Sequence, residues 1–258
     1  MGDFNPAREE FPRIHNRHGL DVFIKVLLVP KPVGNVYLAH GFSDVHDTPH
    51  MRALTAAAVQ AGYNVVVWDA THSWGRSGGS SELASFYYHH QDLEDVLAWS
   101  RGQPWYREQF VLAGHSLGGL VAGVYAAAHP RQVGRLALVS PVVSGLRLRR
   151  RIPWPVRAWW RWRGEVAAPH WGVSRSGWEF MRSGWSYDLL RDAHRLVMPV
   201  LVVGAGRDVL TQPRLLRKLV RRLADGRLVM VPRARHSFDR EWEMVRLERV
   251  VGEWLGLK

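Results

Sequence analysis

The chain contains no cysteine among its 258 residues, which excludes disulfides, thiolate metal sites and a cysteine nucleophile. It also lacks an uninterrupted run of about 20 apolar residues, the length that a membrane-spanning helix needs. The first six residues contain no basic segment followed by an apolar one, so the sequence predicts no signal peptide. From these absences we expect a cytoplasmic protein that binds no cofactor and no metal.

Acidic residues are few relative to basic ones, and the formal net charge is +12. Lysine supplies only four of the 35 basic residues, so arginine accounts for nearly all of the excess. A basic surface attracts phosphates, anionic lipids and acidic proteins over long range. It also keeps a protein soluble without a specific partner, and the charge alone favours neither interpretation.

Short apolar segments alternate with longer amphipathic ones along most of the chain. This alternation is typical of an α/β protein in which helices cover both faces of a parallel sheet. The sequence predicts strands at 20–28, 35–39, 64–69, 109–113, 135–140, 200–204 and 227–231. It predicts helices at 49–61, 91–101, 117–129, 213–224 and 238–255.

The alternation stops between residues 142 and 196, which we call the cap segment. Seven of the 13 tryptophans lie in it, and residues 147–163 contain seven arginines and no acidic residue. Such a change of composition in mid-sheet predicts an insertion on top of the core rather than a second domain. We expect residues 1–141 and 197–258 to form that core.

Residues 114–118 read Gly-His-Ser-Leu-Gly, a Gly-x-Ser-x-Gly motif between a predicted strand and a predicted helix. A sharp strand-to-helix turn strains the backbone of the serine and leaves room only for small flanking residues. The turn raises the hydroxyl above the sheet edge, and the N-terminus of the following helix adds a favourable dipole. We therefore predict that Ser116 is a nucleophile rather than part of a structural turn.

A serine hydroxyl needs a base, and in this type of site the acid and then the histidine follow the serine along the chain. Four histidines follow Ser116, namely His129, His170, His194 and His236. His129 ends the helix after the serine, and the next two lie in the cap segment. His236 lies between the last predicted strand and the last predicted helix, and we predict that it is the general base.

Asp208 lies in the loop after the predicted strand 200–204, one strand before the loop of His236. A carboxylate there would hold the imidazole tautomer and stabilise its cation. Asp225 fits the turn at a helix end, and Asp239 lies only three residues from the histidine. The sequence therefore favours Asp208 as the acid.

The tetrahedral intermediate of acyl transfer needs two N–H donors for its oxyanion. The backbone of Leu117, the residue after the nucleophile, is predicted to supply one of them. The loop after the predicted strand 35–39 reads His40-Gly41-Phe42, and the N–H of Phe42 is the predicted second donor. Gly41 would let the backbone approach the substrate, and we expect His40 to brace the loop.

Through residues 40–42 and 114–118, Asp208 and His236, the chain resembles the α/β-hydrolase superfamily over nearly its whole length. It is most similar to the bacterial carboxylesterase, monoacylglycerol-lipase and acyl-thioesterase branches. The resemblance implies an α/β-hydrolase fold, with a mostly parallel central sheet, helices on both faces and a helical cap insertion. Many relatives have a glycine where this chain has His72 or a neighbour, which leaves the branch undecided.

The resemblance also implies that the cap segment covers the active site. Trp154, Trp159 and Trp160 are then predicted to bind substrate by lining an acyl or aromatic pocket, while the nearby arginines face water or an anionic group. The alternative is that the tryptophans pack the cap segment onto the core. A basic, tryptophan-rich helix also suits weak contact with an anionic lipid surface.

We therefore expect a serine hydrolase that cleaves small-molecule carboxylic esters with short to medium acyl chains through an acyl-enzyme. One alternative is an acyl thioesterase acting on an anionic carrier or coenzyme A, and another is a non-catalytic basic binding protein. We expect no nucleic-acid partner, because the regular aromatic and basic pattern of known binding modules is absent. Peptidase and lactonase activities share the same triad and stay open.

Overall fold

The structure is a computed structural model that describes residues 8–168 and 173–257. The N-terminal residues on which the signal-peptide prediction rests lie outside the described residues, and so does His170. Among the residues described, no helix is both long enough and apolar enough to cross a membrane.

A nine-stranded sheet forms the centre of the molecule. Its strands are β1 (Arg8–Glu10), β2 (Arg13–His15), β3 (Asp21–Leu28), β4 (Gly34–Ala39), β5 (Tyr63–Trp68), β6 (Phe110–His115), β7 (Val133–Val139), β10 (Val200–Ala205) and β11 (Gly226–Val231). A separate antiparallel hairpin consists of β8 (Glu165–Ala168) and β9 (Val173–Gly177). The strand order is β1-β3-β5-β4-β6-β7-β10-β11, with β2 paired to β3. Every pairing from β5 to β11 is parallel, so the predicted mostly parallel sheet is confirmed.

Helices cover both faces of the sheet, as predicted. They are α1 (Pro49–Gln60), α2 (Phe86–Ser100), α3 (Leu117–Ala128), α4 (Gly145–Arg150), α5 (Trp154–Arg163), α6 (Trp178–Ser183), α7 (Leu189–Asp192), α8 (Pro213–Val220) and α9 (Glu241–Leu255). Buried residues of α1 and α9 belong to one hydrophobic cluster, and those of α2, α3 and α8 belong to the other.

The central strands are apolar along their whole length because alternate side chains enter the two clusters. In β5, Val65 and Val67 pack with α1 and α9, whereas Val66 and Trp68 pack on the opposite face. Burying a side chain of this size stabilises the fold by roughly 1.5–3 kcal/mol. This two-sided burial fixes the sheet whose upper edge carries the candidate site.

The seven predicted strands are all present, with ends that differ by one or two residues. Helix α2 begins at Phe86 rather than at residue 91, because the Ser85 side chain accepts a hydrogen bond from the N–H of Tyr88 and caps the helix earlier. The sequence missed the short edge strands β1 and β2. Between β7 and β10, where the cap segment was predicted, the chain forms α4 to α7 and the hairpin β8–β9. That residues 142–196 form an insertion separate from the core stays a prediction.

Candidate active site

Ser116 lies at the sharp turn between β6 and α3, with φ 52° and ψ −113°. This left-handed conformation costs on the order of 1–3 kcal/mol in a non-glycine residue. A Cβ on Gly114 would lie 2.4 Å from the carbonyl carbon of Gly118, and a Cβ on Gly118 would lie 2.1 Å from the carbonyl oxygen of Ala39. The motif therefore needs both glycines for a steric reason, as the sequence predicts.

Three loops bring the predicted triad together above the carboxyl ends of the parallel strands. The Oγ of Ser116 lies 2.9 Å from Nε2 of His236, whose Nδ1 lies 2.7 Å from Oδ2 of Asp208. With Nδ1 donating to the carboxylate, Nε2 is left as the acceptor for the serine proton. The geometry suits proton transfer, while the catalytic roles of the three residues stay predictions.

Asp208 is buried and accepts more hydrogen bonds than the one from His236. Its Oδ1 accepts the N–H groups of Leu210 and Thr211, both at 2.8 Å, and its Oδ2 accepts the hydroxyl of Thr211 at 2.5 Å. Burial alone would raise the pKa of Asp208, but the bonds and charge from His236 and the bonds from Thr211 hold that pKa below its usual value. The carboxylate therefore stays ionised.

Thr211 is a supporting residue that the sequence reasoning missed. A signal was present, because an aspartate often accepts backbone N–H groups two and three residues later in a turn. Here that turn directly precedes α8, whose first residue is Pro213.

Phe42 and Leu117, the predicted oxyanion donors, both lie beside Ser116 at the cavity described below. Leu117 is the first residue of α3, and N–H groups at this end of a helix have no partner within the helix. A Cβ on Gly41 would lie 2.5 Å from Oδ2 of Asp44 and 3.2 Å from the Cβ of Ser116, so glycine lets this backbone pass close to both side chains. The donor roles stay predictions.

His40 is buried and has hydrogen-bond partners at both ring nitrogens. Nδ1 donates to the carbonyl of Gly41 at 2.7 Å, and Nε2 accepts the N–H of Ala70 at 2.9 Å. Burial lowers the pKa of His40, which favours the neutral ring that these two bonds require. His40 thus braces the loop of residues 40–44, hereafter the oxyanion loop.

Asp44, His50 and His115 form a cluster behind the nucleophile that the sequence reasoning also missed. Oδ2 of Asp44 lies 3.1 Å from Nδ1 of His115 and 3.2 Å from Nε2 of His50, and it accepts the N–H of Gly41 at 3.2 Å. No short motif links these positions, because the chain brings them together from the oxyanion loop, α1 and β6.

The same three side chains are the group among the described residues that could hold a metal ion, with ligand atoms within 4.8 Å of one another. Contacts with Asp44 already hold the facing nitrogen of each histidine, while Nδ1 of His50 is buried without a hydrogen-bond partner. Burial alone would raise the pKa of Asp44, but bonds from His115 and His50 hold that pKa well below its usual value. The arrangement is therefore that of an ionised carboxylate surrounded by N–H donors.

Ser116 opens into a cavity of about 680 Å³. Apolar side chains form much of its wall, namely Phe42, Leu117, Val142, Leu148, Phe180, Val209 and Leu210. The polar lining includes Ser43, Asp44, Arg207, Arg235, Ser237 and Asp239. Leu148 of α4 and Phe180 of α6 bring the cap segment to the cavity, and the Phe180 ring lies 4.2 Å from that of Phe42.

The structure places none of the three predicted tryptophans in the wall of this cavity, and their contact with substrate stays a prediction. Trp160 is buried and donates its indole N–H to the carbonyl of Ser176 at 3.0 Å. Trp154 and Trp159 are 72% and 51% exposed. The physical reason is that α4 and α6 supply the cap-segment wall of the cavity, while α5 turns only one tryptophan inward.

His72, at or next to the position where the resemblance implies a glycine, has a φ of 61°. This is the left-handed region that favours glycine. Its Nδ1 accepts the N–H of Ser80 at 2.9 Å, which holds the ring inside the turn. This bond helps a histidine to occupy a backbone conformation that favours glycine.

The sequence model of the family described as "Serine aminopeptidase, S33" matches residues 30–183. That span includes the oxyanion loop and the motif around Ser116. None of the curated proteins matches the sequence significantly.

Solved structures share the α/β-hydrolase fold with this chain at low sequence identity. Est1E from Butyrivibrio proteoclasticus with ferulic acid bound has a TM-score of 0.82 and 18% identity, over 95% of this chain and 97% of that one. Mouse alpha/beta hydrolase domain-containing protein 10 has a TM-score of 0.80 and 15% identity, over 95% and 98%. A monoacylglycerol lipase from Paleococcus ferrophilus has a TM-score of 0.73 and 21% identity, over 91% and 98%.

Proposed function

The chain belongs to the α/β-hydrolase family described as serine aminopeptidase, S33, and on that premise we propose that it hydrolyses carboxylic esters through an acyl-enzyme on Ser116. The observation that carries the proposal is the hydrogen-bonded series from Asp208 through His236 to Ser116, which ends in a largely apolar cavity. Such a cavity suits an acyl chain beside an activated hydroxyl.

In the proposed reaction, Oγ of Ser116 attacks the ester carbonyl while Nε2 of His236 takes the hydroxyl proton. The N–H groups of Leu117 and Phe42 stabilise the oxyanion. The tetrahedral intermediate then expels the alcohol, which receives that proton from His236. Water, deprotonated by the same ring, attacks the acyl-enzyme and releases the acid, and the proton returns to Ser116. Asp208 stabilises the imidazolium in both halves of the cycle.

The charges around the cavity favour an ester over the amino terminus of a peptide. An aminopeptidase must bind an α-ammonium group, for which a carboxylate is the natural partner. The described cavity lining has two carboxylates besides the triad. Asp44 is surrounded by N–H donors, and Asp239 pairs with Arg235 at 2.7 Å. Neither is left as a ready partner for an ammonium group.

The cavity volume supports acyl groups of short to medium length, since drug-sized ligands occupy cavities of roughly 300–1,000 Å³. The ferulic acid in the Est1E structure is an aromatic acid of this size class, and we extend the proposal to aromatic acyl groups on that analogy. Phe42 and Phe180 would offer their rings to such a group.

A substrate panel tests this proposal. We expect hydrolysis of p-nitrophenyl esters with short to medium chains, and no comparable release of p-nitroaniline from amino-acid anilides. Ser116→Ala should lose at least roughly a thousandfold in kcat/KM. Ser237→Ala, a serine on the same cavity wall, is the matched control and should retain most activity. Faster cleavage of the anilides, or equal losses in both variants, would overturn the proposal.

Thioester hydrolysis is a second candidate, favoured by one observation. Arg207 lines the cavity and is exposed, and it forms no ion pair with any other described residue. Its guanidinium could bind the phosphates of a coenzyme thioester. The thioesterase proposal predicts that Arg207→Gln raises KM for acyl-coenzyme A while leaving KM for a neutral ester unchanged. An equal effect on both substrates would exclude this candidate.

A further inference from the structure

Helix α5 lies on the surface with only one side turned inward. Trp160 is fully buried and Arg157 is partly buried, while the other eight residues of the helix are exposed. Trp162, at 79% exposure, is among the most exposed large apolar side chains described. A helix of a globular protein normally turns its apolar side toward the core.

The outward side of α5 is apolar, which is the reverse of that norm. Because successive helical residues lie about 100° apart, five exposed residues fall within an arc of ~140° opposite Trp160 and Arg157. They are, in order around the helix, Trp154, Ala158, Trp162, Pro155 and Trp159. Exposed Arg161 and Arg163 border the arc on its two sides.

Positive charge is concentrated around this apolar surface. None of the seven arginines in residues 147–163 forms an ion pair with another described residue. The guanidinium of Arg149 lies 3.9 Å above the ring of Trp185, and partial burial and neighbouring positive charges lower its pKa. The neighbours are Arg157, Arg150 and Arg161. The charges repel one another and lack a counter-charge within the described chain.

We propose that α5 docks the protein onto an anionic phospholipid surface, with Trp154, Trp159 and Trp162 at the level of the headgroups. Tryptophan favours the boundary between headgroups and acyl chains, where the ring is apolar and the indole N–H stays hydrated. Arg161 and Arg163, which border the apolar arc, would pair with lipid phosphates. A helix of this kind lies in the membrane plane with its apolar side buried by ~5–10 Å.

Other occupants fit this surface less well. A second copy of the chain would bring two clusters of unpaired arginines together, which is electrostatically unfavourable. A nucleic acid or an acidic protein would satisfy the arginines but would not require the continuous apolar arc between Arg161 and Arg163. The combination of an apolar arc with basic borders is the pattern of interfacial helices.

Because α5 belongs to the cap segment, docking through α5 would affect how substrate reaches the cavity. Trp160 packs against Trp178, at 6.1 Å between ring centroids, and Trp178 begins α6, which carries Phe180 to the cavity. Docking through α5 would therefore hold the cavity-lining part of the cap segment next to the lipid phase. The binding step itself does not depend on the proposed esterase activity.

Vesicle co-sedimentation with the whole protein tests the proposal. We expect binding to vesicles of equal parts phosphatidylcholine and phosphatidylglycerol, little binding to pure phosphatidylcholine, and a decline with added salt. Trp162→Ser should lower the partition coefficient by roughly tenfold. Arg161→Gln with Arg163→Gln should lower it by at least about tenfold on anionic vesicles.

Matched controls on other helices distinguish docking through α5 from nonspecific adsorption to vesicles. Trp242→Ser removes a tryptophan that is 43% exposed on α9, and Arg217→Gln with Lys218→Gln removes two exposed charges on α8. Both should bind vesicles like the parent protein, with circular dichroism confirming that each variant is folded. Equal losses in controls and α5 variants would overturn the proposal. So would tighter binding to duplex DNA or polyglutamate than to vesicles, or dimerisation that Trp162→Ser abolishes.

Discussion

Oδ2 of Asp44 lies 3.1 Å from Nδ1 of His115, the residue immediately before the candidate nucleophile. The other ring nitrogen of His115 lies 3.0 Å from the backbone carbonyl of His236. An ionised carboxylate and a carbonyl can only accept hydrogen bonds, so each ring nitrogen of His115 faces an acceptor. Asp44 and His115 therefore connect the oxyanion loop to the loop of the candidate base.

Replacing Asp44 by asparagine should weaken this connection without removing any atom of the triad. The loss of charge weakens the contact of Asp44 with His115 and loosens both the Gly41 amide and the His236 carbonyl. We expect kcat to fall by about tenfold while KM changes little, because the loss falls on transition-state positioning. Steady-state kinetics on a p-nitrophenyl ester measures both quantities.

Asp47→Asn, an exposed carboxylate three residues further along the chain, is the matched control for Asp44 and should leave kcat unchanged. Asp44 also borders the cavity, so a direct contact with substrate is the competing explanation. A rise in KM at constant kcat would support that contact and contradict the positioning role.

Gly118→Ala should destabilise the protein although it places a better helix former inside α3. Alanine in a helix interior normally gains about 1 kcal/mol over glycine. Here the new Cβ would lie 2.1 Å from the carbonyl oxygen of Ala39 and 2.4 Å from that of His40, which are backbone atoms that cannot rotate away. We expect the free energy of unfolding in urea to fall by at least about 2 kcal/mol.

The control is Gly102→Ala, where the closest atom to an added Cβ lies 3.5 Å away and the backbone is not strained. This variant should unfold within about 0.5 kcal/mol of the parent. Unchanged stability of Gly118→Ala would mean that β4 and α3 can move apart at no cost, and the described packing of the turn would be wrong.

Buried histidines predict how stability depends on pH. Burial lowers the pKa of His89 to about 3, and His89 donates from Nε2 to the carbonyl of His40 at 3.0 Å. In the unfolded chain the pKa is about 6.5, so between these values the unfolded state binds more protons and stability falls as pH falls. At pH 5 this one residue should cost on the order of 2 kcal/mol relative to neutral pH.

His89→Gln keeps an N–H donor but cannot titrate, so its free energy of unfolding should depend less on pH between 7 and 5. Urea denaturation at several pH values measures this slope. His194→Gln replaces an exposed histidine and should leave the slope unchanged. A slope that is the same in the parent and in His89→Gln would show that His89 binds protons as readily in the folded as in the unfolded state and would contradict the lowered pKa.

The pattern of neighbouring residues in the sequence was sufficient to predict the strands and the loops that carry the candidate triad. Strands buried on both faces are apolar throughout, and Ser116 and Asp208 each follow such a strand. His236 follows the half-buried edge strand β11, and since all three strands are parallel, their convergence could be expected. The cluster of Asp44, His50 and His115 could not, because it depends on three distant segments meeting in space. Composition indicated an insertion between β7 and β10 but not which of its helices would reach the cavity.

Thr211 offers the sharpest test of how Asp208 is supported. Its hydroxyl donates to the same carboxylate oxygen that faces His236, and the bond is 2.5 Å long and buried. Thr211→Val removes that donor, so the pKa of Asp208 should rise toward its ordinary value while the carboxylate stays ionised at neutral pH. A hydrogen bond to a charged group contributes about 1.5–3 kcal/mol, which predicts a loss in kcat of roughly tenfold or more.

Asp208→Asn should lose far more, on the order of ten-thousandfold, because the amide can no longer hold the productive tautomer of His236. Thr48→Val is the control for a threonine whose hydroxyl has only near neighbours in the chain as partners, the carbonyl of Val45 and, at 3.4 Å, Nε2 of His50, and it should retain kcat. The ordering of the three variants is measured by kcat for one ester across a pH series. If Thr211→Val and Thr48→Val behave alike, the hydroxyl of Thr211 does not support the acid.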